Sequence, residues 1–191
     1  MAPQTAPQGL TIPGYIAGTW SVDSVHSEVS FVVRHMMVSK VRGRFDTFSG
    51  TIVTADDPLQ SSAEATIDLQ SINTANSQRD DHIRSADFFD VEHHPNMTFR
   101  TTGIRAGGDG PEVDGELTIR GVTRPLVLAL EVNGFGPDAY GGTRAGFSAS
   151  GEINRNDFGV SYNGPIPGGG TVIGDKVSLT IEIEAVLQQE G

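Results

Sequence analysis

The sequence predicts an all-β fold: an antiparallel up-and-down β-barrel of about eight strands with one short helical lid segment. Two observations lead there. From Gly18 onward, apolar residues recur at every second position in segment after segment, and the breaks between segments are rich in Gly, Pro, Asn and Asp. Only residues 73–99 have the charge density and spacing of a helix, so the remaining strands follow one another as a meander, without helical crossovers between them.

Trp20 and Val22 share a face of the first predicted strand, and Val29, Phe31 and Val33 share a face of the next. Over residues 41–52 the apolar parity shifts from odd (Val41, Phe45) to even (Phe48, Ile52), which predicts a bulge or bend near Asp46 and Thr47. Alternation resumes with Ala63, Ala65, Ile67 and Leu69, then Met97 and Phe99, then Val113, Leu117 and Ile119, then Leu126, Leu128 and Leu130. The last two runs are Ala145, Phe147, Ala149 and Ile153, and Val177, Leu179, Ile181 and Ile183. The opposite parity carries Glu64, Thr66 and Asp68, or Glu112, Asp114 and Glu116, or Ser178, Thr180 and Glu182. That is the pattern of half-buried antiparallel strands with one wet side.

Within residues 73–99, Asn76 or Ser77 is placed to cap a helix start, and Asp80 and Asp81 fall in the first turns, where the helix dipole favours acids. Ile83 and Ala86 share a face, and Phe88 and Phe89 close the segment before Pro95 forbids continuation. A short amphipathic helix in an all-β chain has only sheet against which to bury its stripe, so it reads as a plug or lid.

At 191 residues the chain is long enough for one domain with a proper core, expected over residues 18–188. Residues 1–17, with Pro3, Pro7 and Pro13, read as a flexible arm with neither the basic start nor the apolar run of a signal peptide. The expected location is cytoplasmic, or periplasmic or secreted if a signal has been removed. A net charge of -11 argues against nucleic acid as a partner and against non-specific adhesion to anionic membranes. The absence of cysteine excludes a disulfide scaffold, a thiolate nucleophile and any zinc site that needs sulfur.

An eight-stranded barrel is just wide enough either to fill itself with side chains or to hold one small ligand. The inward parity includes the small residues Ala63, Ala65, Gly115, Ala145, Ala149 and Gly151, which leave volume; Phe31, Phe45, Phe99 and Phe147 are available to fill it. Pattern alone leaves both outcomes open.

The succession GTWSVDSVHSEVSFVVRH, VRGRFDTFSGTI, INTANSQRDDHIRSADFFDVEHHPNMTF, GELTIRGVTRPLVL, GEINRNDFGV and GDKVSLTIEIE resembles the YceI-like family of polyisoprenoid-binding proteins, and the resemblance runs over essentially the whole domain. It implies a lipocalin-like barrel around an elongated apolar cavity for a long-chain isoprenoid or another apolar small molecule, held for carriage or storage without catalysis and without a cofactor. The competing class is an enzyme or accessory factor acting on an isoprenoid or quinone-type substrate. Under this resemblance the cavity wall is expected to include Phe31, Val33, Phe45, Ala65, Ile67, Phe99, Leu117, Leu128, Phe147, Ala149, Leu179 and Ile181, with Phe88 and Phe89 from the lid.

For the polar end of the ligand the candidates are His35, which continues the inward parity of Val33, Arg79 on the lid, and Arg155, which shares parity with Ile153. The bland alternatives are a solvent-facing imidazole for His35, a salt-bridged helix brace for Arg79 with Asp80 and an Arg155–Asp157 ion pair closing a turn. His26 with Asp23, Ser24 and Ser27 imitates a hydrolase triad but lacks a strained nucleophile elbow. His82, His93 and His94 lack the spacing of a metal site, so no metal is expected. The Gly-rich run GPIPGGGTVIGDK reads as a flexible turn.

Arg34, Lys40, Arg42 and Arg44 flank Met36, Met37 and Val38 with no acid among residues 29–45. This candidate hairpin either makes transient membrane contact or is a solvated edge with Met36 or Met37 in the core. The pattern also leaves room for a homodimer.

Overall fold

The computed structural model describes residues 9–190. Eleven strands form one antiparallel sheet that closes on itself: β1 (Gly18–Val22), β2 (Glu28–His35), β3 (Ser39–Phe45), β4 (Phe48–Thr54), β5 (Ser62–Asp68), β6 (Ile72–Asn73), β7 (Asn96–Gly107), β8 (Gly110–Ile119), β9 (Val122–Pro137), β10 (Thr143–Asn154) and β11 (Ile173–Leu187). These eleven make eight barrel staves, because three staves are interrupted. β11 pairs with β2 over Val177–Glu182 and with β1 beyond it, at Ala185 and Leu187, so β1 and β2 form one stave. β3 and β4 continue each other in the same way against β2 and β1, and β5 and β6 against β4 and β3. The order is an up-and-down meander, and the closing β1–β11 and β2–β11 ladders remove the free edge.

The interruptions have local causes. Asp23, Asp57 and Asp68 each accept a hydrogen bond from the backbone two residues on, the Asx geometry that starts a turn and ends a strand. The break predicted near Asp46 and Thr47 lies between Phe45 and Phe48, and it is a gap between two strands rather than a bulge inside one. It is stitched to the neighbouring break: Ser71 Oγ accepts from Thr47 N at 3.0 Å and donates to Asp68 O at 2.6 Å, while Asp46 N donates to Ser71 O at 3.1 Å. Each side of the gap keeps its own inward parity, which is why Phe45 and Phe48 both face inward.

The helix α1 (Ser77–Arg84) starts where the sequence places it, with Asn76 Oδ1 accepting from Arg79 N at 2.9 Å. It ends at Ser85, so Ala86 lies beyond it, exposed, while Ile83 packs on the core. Asp80 is buried and accepts from both Thr74 N and Thr74 Oγ1, fixing the strand-to-helix corner. The lid is also held from the far side. Arg120, in the β8–β9 turn, donates to Ala86 O and Phe88 O at 2.7 Å each.

The core divides in two. The larger cluster runs along the barrel and under the lid, and the smaller centres on Trp20, Ala145 and Ala185 at the opposite end. Trp20 is fully buried, and its Nε1 donates to Thr54 Oγ1 at 2.8 Å, which in turn donates to Ile16 O. Residues 9–17, read from sequence as part of a flexible arm, therefore pack against the barrel. Tyr15 donates its hydroxyl to Ala55 O at 2.7 Å and stacks edge-on against Phe135. Residues 1–8 of the expected arm lie outside the described residues.

Candidate functional site

Two apolar cavities lie end to end inside the barrel. The one under the lid measures about 400 Å³ and the one toward Trp20 about 220 Å³. Both are bordered by Phe31, Phe45, Met97 and Leu179, which make a waist between them.

The question of filled against open is answered by how the aromatics lie. A β-carbon on Gly43 would come within 2.3 Å of the Phe31 ring, and one on Gly115 within 2.4 Å of Phe99. Each ring is laid against a glycine on the neighbouring strand, so it lines the wall where an upright ring would cross the bore. The glycines thus make room for the rings, and the interior volume survives.

Each residue expected on the cavity wall borders one of the two spaces. Phe31, Phe45 and Leu179 touch both; Val33, Phe88 and Phe89 border the lid-end cavity; Ala65, Ile67, Phe99, Leu117, Leu128, Phe147, Ala149 and Ile181 border the other. Sequence reasoning missed two further sets. Leu10, Ile12 and Tyr15 close the far cavity, and Val160, Tyr162, Gly164 and Val172 form one side of the lid-end mouth. The Gly-rich run read as a flexible turn is instead a closed loop, because Asn163 donates to Ile173 O at 2.8 Å and accepts from Ile173 N at 3.0 Å.

The polar candidates all border the lid-end cavity. Their donors, however, are largely engaged. Arg155 is 5 % exposed and does not pair with Asp157, as the turn motif suggested. Its Nε donates to Gly174 O at 2.9 Å, its Nη1 to Val160 O at 2.7 Å and Tyr162 O at 2.8 Å, and its Nη2 to Ile173 O at 3.3 Å, with Asp175 at 3.9 Å. Burial pushes the guanidinium pKa down, and Asp175 partly offsets it. Arg79 is a brace as well, though not a salt-bridged one: its Nε donates to Thr74 Oγ1 and its Nη2 to Thr74 O. His35, at the end of β2, keeps an imidazole at the mouth. Beside it His82, Phe88 and Tyr162 pack as an aromatic triad with ring centroids 5.0–5.2 Å apart. Every buried side-chain polar atom among the described residues has a hydrogen-bond partner.

The histidines do not converge on one another. His82 Nε2 is 2.8 Å from Asp87, His93 Nδ1 is 3.0 Å from Asp90, and His94 lies over Gly121. A grouping of metal-ligand type among the described residues joins Asp23, His26 and Glu184. Its centre is taken by Arg144, whose Nη1 is 2.8 Å from Asp23 and 3.2 Å from Glu184, and whose Nε is 3.1 Å from Asp138. Ser27, one of the two candidate nucleophiles, bonds to the Glu184 backbone instead of to His26. The triad look-alike is therefore a charge cluster fastening β1, β10 and β11.

This cluster predicts an acid sensitivity. Arg144, then His26, hold the Asp23 carboxyl far below its ordinary value of 3.8. A group that titrates lower when folded contributes its full stability above the unfolded value and loses it as the pH falls toward the folded one. Asp23→Asn retains an oxygen to cap Val25 N but loses the charge facing Arg144. The variant should melt below the native protein at pH 6, by about 1 kcal/mol, and the gap should narrow steadily on titration from pH 4 to pH 2. A constant gap across that range, followed by circular dichroism, would remove the ionic role.

The sequence comparisons agree with this architecture. The model of the YceI-like domain matches residues 20–185. The chain belongs to that family. Protein YceI of Escherichia coli O157:H7 is 34% identical over 178 residues, covering 91% of this chain and 90% of that protein. Among solved structures, Burkholderia cenocepacia BcnA superposes with a TM-score of 0.73 at 26% identity, over 85% of this chain and 98% of that one. A polyisoprenoid binding domain from Saccharophagus degradans superposes with a TM-score of 0.67 at 20% identity, over 88% and 98%. At that identity the last likeness shows the fold alone.

Proposed function

We propose that this YceI-like barrel binds one long-chain isoprenoid or similar amphiphile along its axis and carries or stores it without transforming it. The observation that supports the reading best is the pair of adjoining apolar cavities, with the Phe31 and Phe99 rings set against Gly43 and Gly115 on the wall. Two cavities in line suit a long chain better than a compact ligand. Burial at roughly 0.8 kcal/mol per methylene holds such a chain without many polar contacts. The description of the Saccharophagus degradans domain as polyisoprenoid-binding points to the same ligand class.

The polar end of the ligand is uncharged on this reading. The donors of Arg155 and Arg79 are directed mainly at backbone carbonyls and Thr74, Arg34 borders the cavity only from an exposed position on the rim, and a chain of net charge -11 repels a phosphorylated terminus. His35, half-buried at the mouth, offers a donor suited to a hydroxyl or carbonyl. Among the described residues no activated base and nucleophile stand together along the cavity, which supports carriage over chemistry.

Mass spectrometry of an organic extract of the purified protein tests this directly. A stoichiometric neutral prenyl lipid is the expected result. An extract dominated by phosphorylated prenyl chains would overturn the uncharged terminus, and one without lipid, from protein that also fails to take up added prenol, would overturn binding itself.

A further inference from the structure

At the lid end of the barrel, the β2–β3 hairpin departs from three local preferences at once. Its turn residues Met36 and Met37 both occupy the left-handed region, with φ of 50° and 61°. His35 pairs with Ser39 across this three-residue connection, and two consecutive left-handed positions in it favour Asn and Gly, because an ordinary side chain crowds the backbone there. Met36, Met37 and Val38 are 46, 63 and 86 % exposed, so neither methionine enters the core and the three make a contiguous apolar tip. Behind the tip Arg34 stands directly opposite Lys40 in the ladder, like charge against like, with Arg42 on the same outward parity. Among the described residues none of these three makes an ion pair, whereas Arg44 has Asp46. Residues 29–45 contain no acid in a chain of net charge -11.

Each departure costs stability that an Asn-Gly turn with mixed charges would keep, and a sequence tends to tolerate such conflicts where a surface has a use. An exposed apolar tip with a collar of unpaired cations is complementary to one kind of surface, a layer of anionic headgroups over hydrocarbon. The two most exposed of the other large apolar residues provide a contrast. Val25 and Tyr140, at the far end, sit beside Asp23, Asp138 and Glu184, which an anionic surface repels.

We propose that the tip formed by Met36, Met37 and Val38 docks this protein on an anionic lipid bilayer, with Arg34, Lys40 and Arg42 against the headgroups. Arg34 and His35 of the same hairpin border the lid-end cavity, and Met37 Sδ lies over Gly170 of the mouth loop. Docking therefore sets the mouth of the cavity at the membrane interface. The proposal rests on the tip itself, whatever the cavity holds.

Co-sedimentation of the full chain with vesicles decides it. The protein is expected to sediment with phosphatidylcholine vesicles containing phosphatidylglycerol, to stay in solution with pure phosphatidylcholine, and to be released by high salt. Arg34→Ser and Lys40→Ser should each lower partitioning about fivefold. Met36→Asn with Met37→Gly installs the favoured turn, so this variant should fold at least as stably while partitioning about tenfold less. Failure of the native protein to bind anionic vesicles, equal binding to neutral ones, or undiminished binding by the folded Asn-Gly variant would each overturn the proposal. A lipid-free extract with no uptake of added prenol, beside intact vesicle binding, sinks only carriage; a stoichiometric lipid beside absent vesicle binding sinks only docking.

Discussion

Arg155→Ala is expected to destabilise the barrel by about 3–5 kcal/mol, at the upper end of single substitutions. The guanidinium is almost fully buried and joins four backbone carbonyls: Val160 and Tyr162 on one side of the mouth loop, Ile173 and Gly174 on the other. A hydrogen bond from a charged donor is worth about 1.5–3 kcal/mol, and a carbonyl stripped of its partner in the interior bears a desolvation penalty of similar size. The contributions do not add fully, because a freed loop lets water reach some of the carbonyls. Arg155→Lys keeps the charge but loses the planar fork that reaches both sides of the loop, so it should recover only part of the loss. Urea denaturation of the three proteins gives the order native, lysine, alanine. A strut also predicts that affinities for a pyrophosphorylated and a neutral isoprenoid fall together in the folded alanine variant. Unchanged stability with a selective loss of the phosphorylated ligand would return Arg155 to the head group.

The barrel was legible in the sequence because a half-buried antiparallel strand writes its two faces into alternate residues. Val113, Leu117 and Ile119 of β8 and Leu126 and Leu128 of β9 are buried as their parity requires. The lid was legible through its Asn76 cap and through Pro95. What escaped depends on partners distant in the chain. The acidic neighbour Asp157 suggested an ion pair for Arg155, but backbone carbonyls satisfied it, and carbonyls leave no mark on a sequence. The ring of Phe31 rests on Gly43 because β2 and β3 pair in that register, which neither strand reveals alone. Leu10 and Ile12 did show an alternation, masked by Pro7 and Pro13, and only their contact with the far cavity reveals its use. Nothing in the sequence around Arg120 signals its role as the far tether of the lid, which depends on closure of the barrel.

Ala149→Trp is expected to abolish long-chain binding while leaving the barrel folded. Ala149 lies on β10 opposite Leu130 and Ile181, with its methyl group facing the far cavity of about 220 Å³. An indole there grows into existing space instead of into a packed core, so the cost to stability should be smaller than the 1–3 kcal/mol typical of overpacking. The volume it takes is the volume the distal part of an isoprenoid needs. Excluding about four methylene equivalents forfeits roughly 3 kcal/mol, a weakening of a hundredfold or more. Ala65→Phe, on β5 in the same cavity, should act in the same way from another stave. A short prenol that fits within the lid-end cavity of about 400 Å³ should keep most of its affinity, because Ala149 does not border that space. Titrating short and long prenols into folded Ala149→Trp separates the outcomes. Loss of the long chain alone places the ligand along both cavities, loss of both points to a distorted barrel, and retention of both would show that the far cavity takes no part in binding.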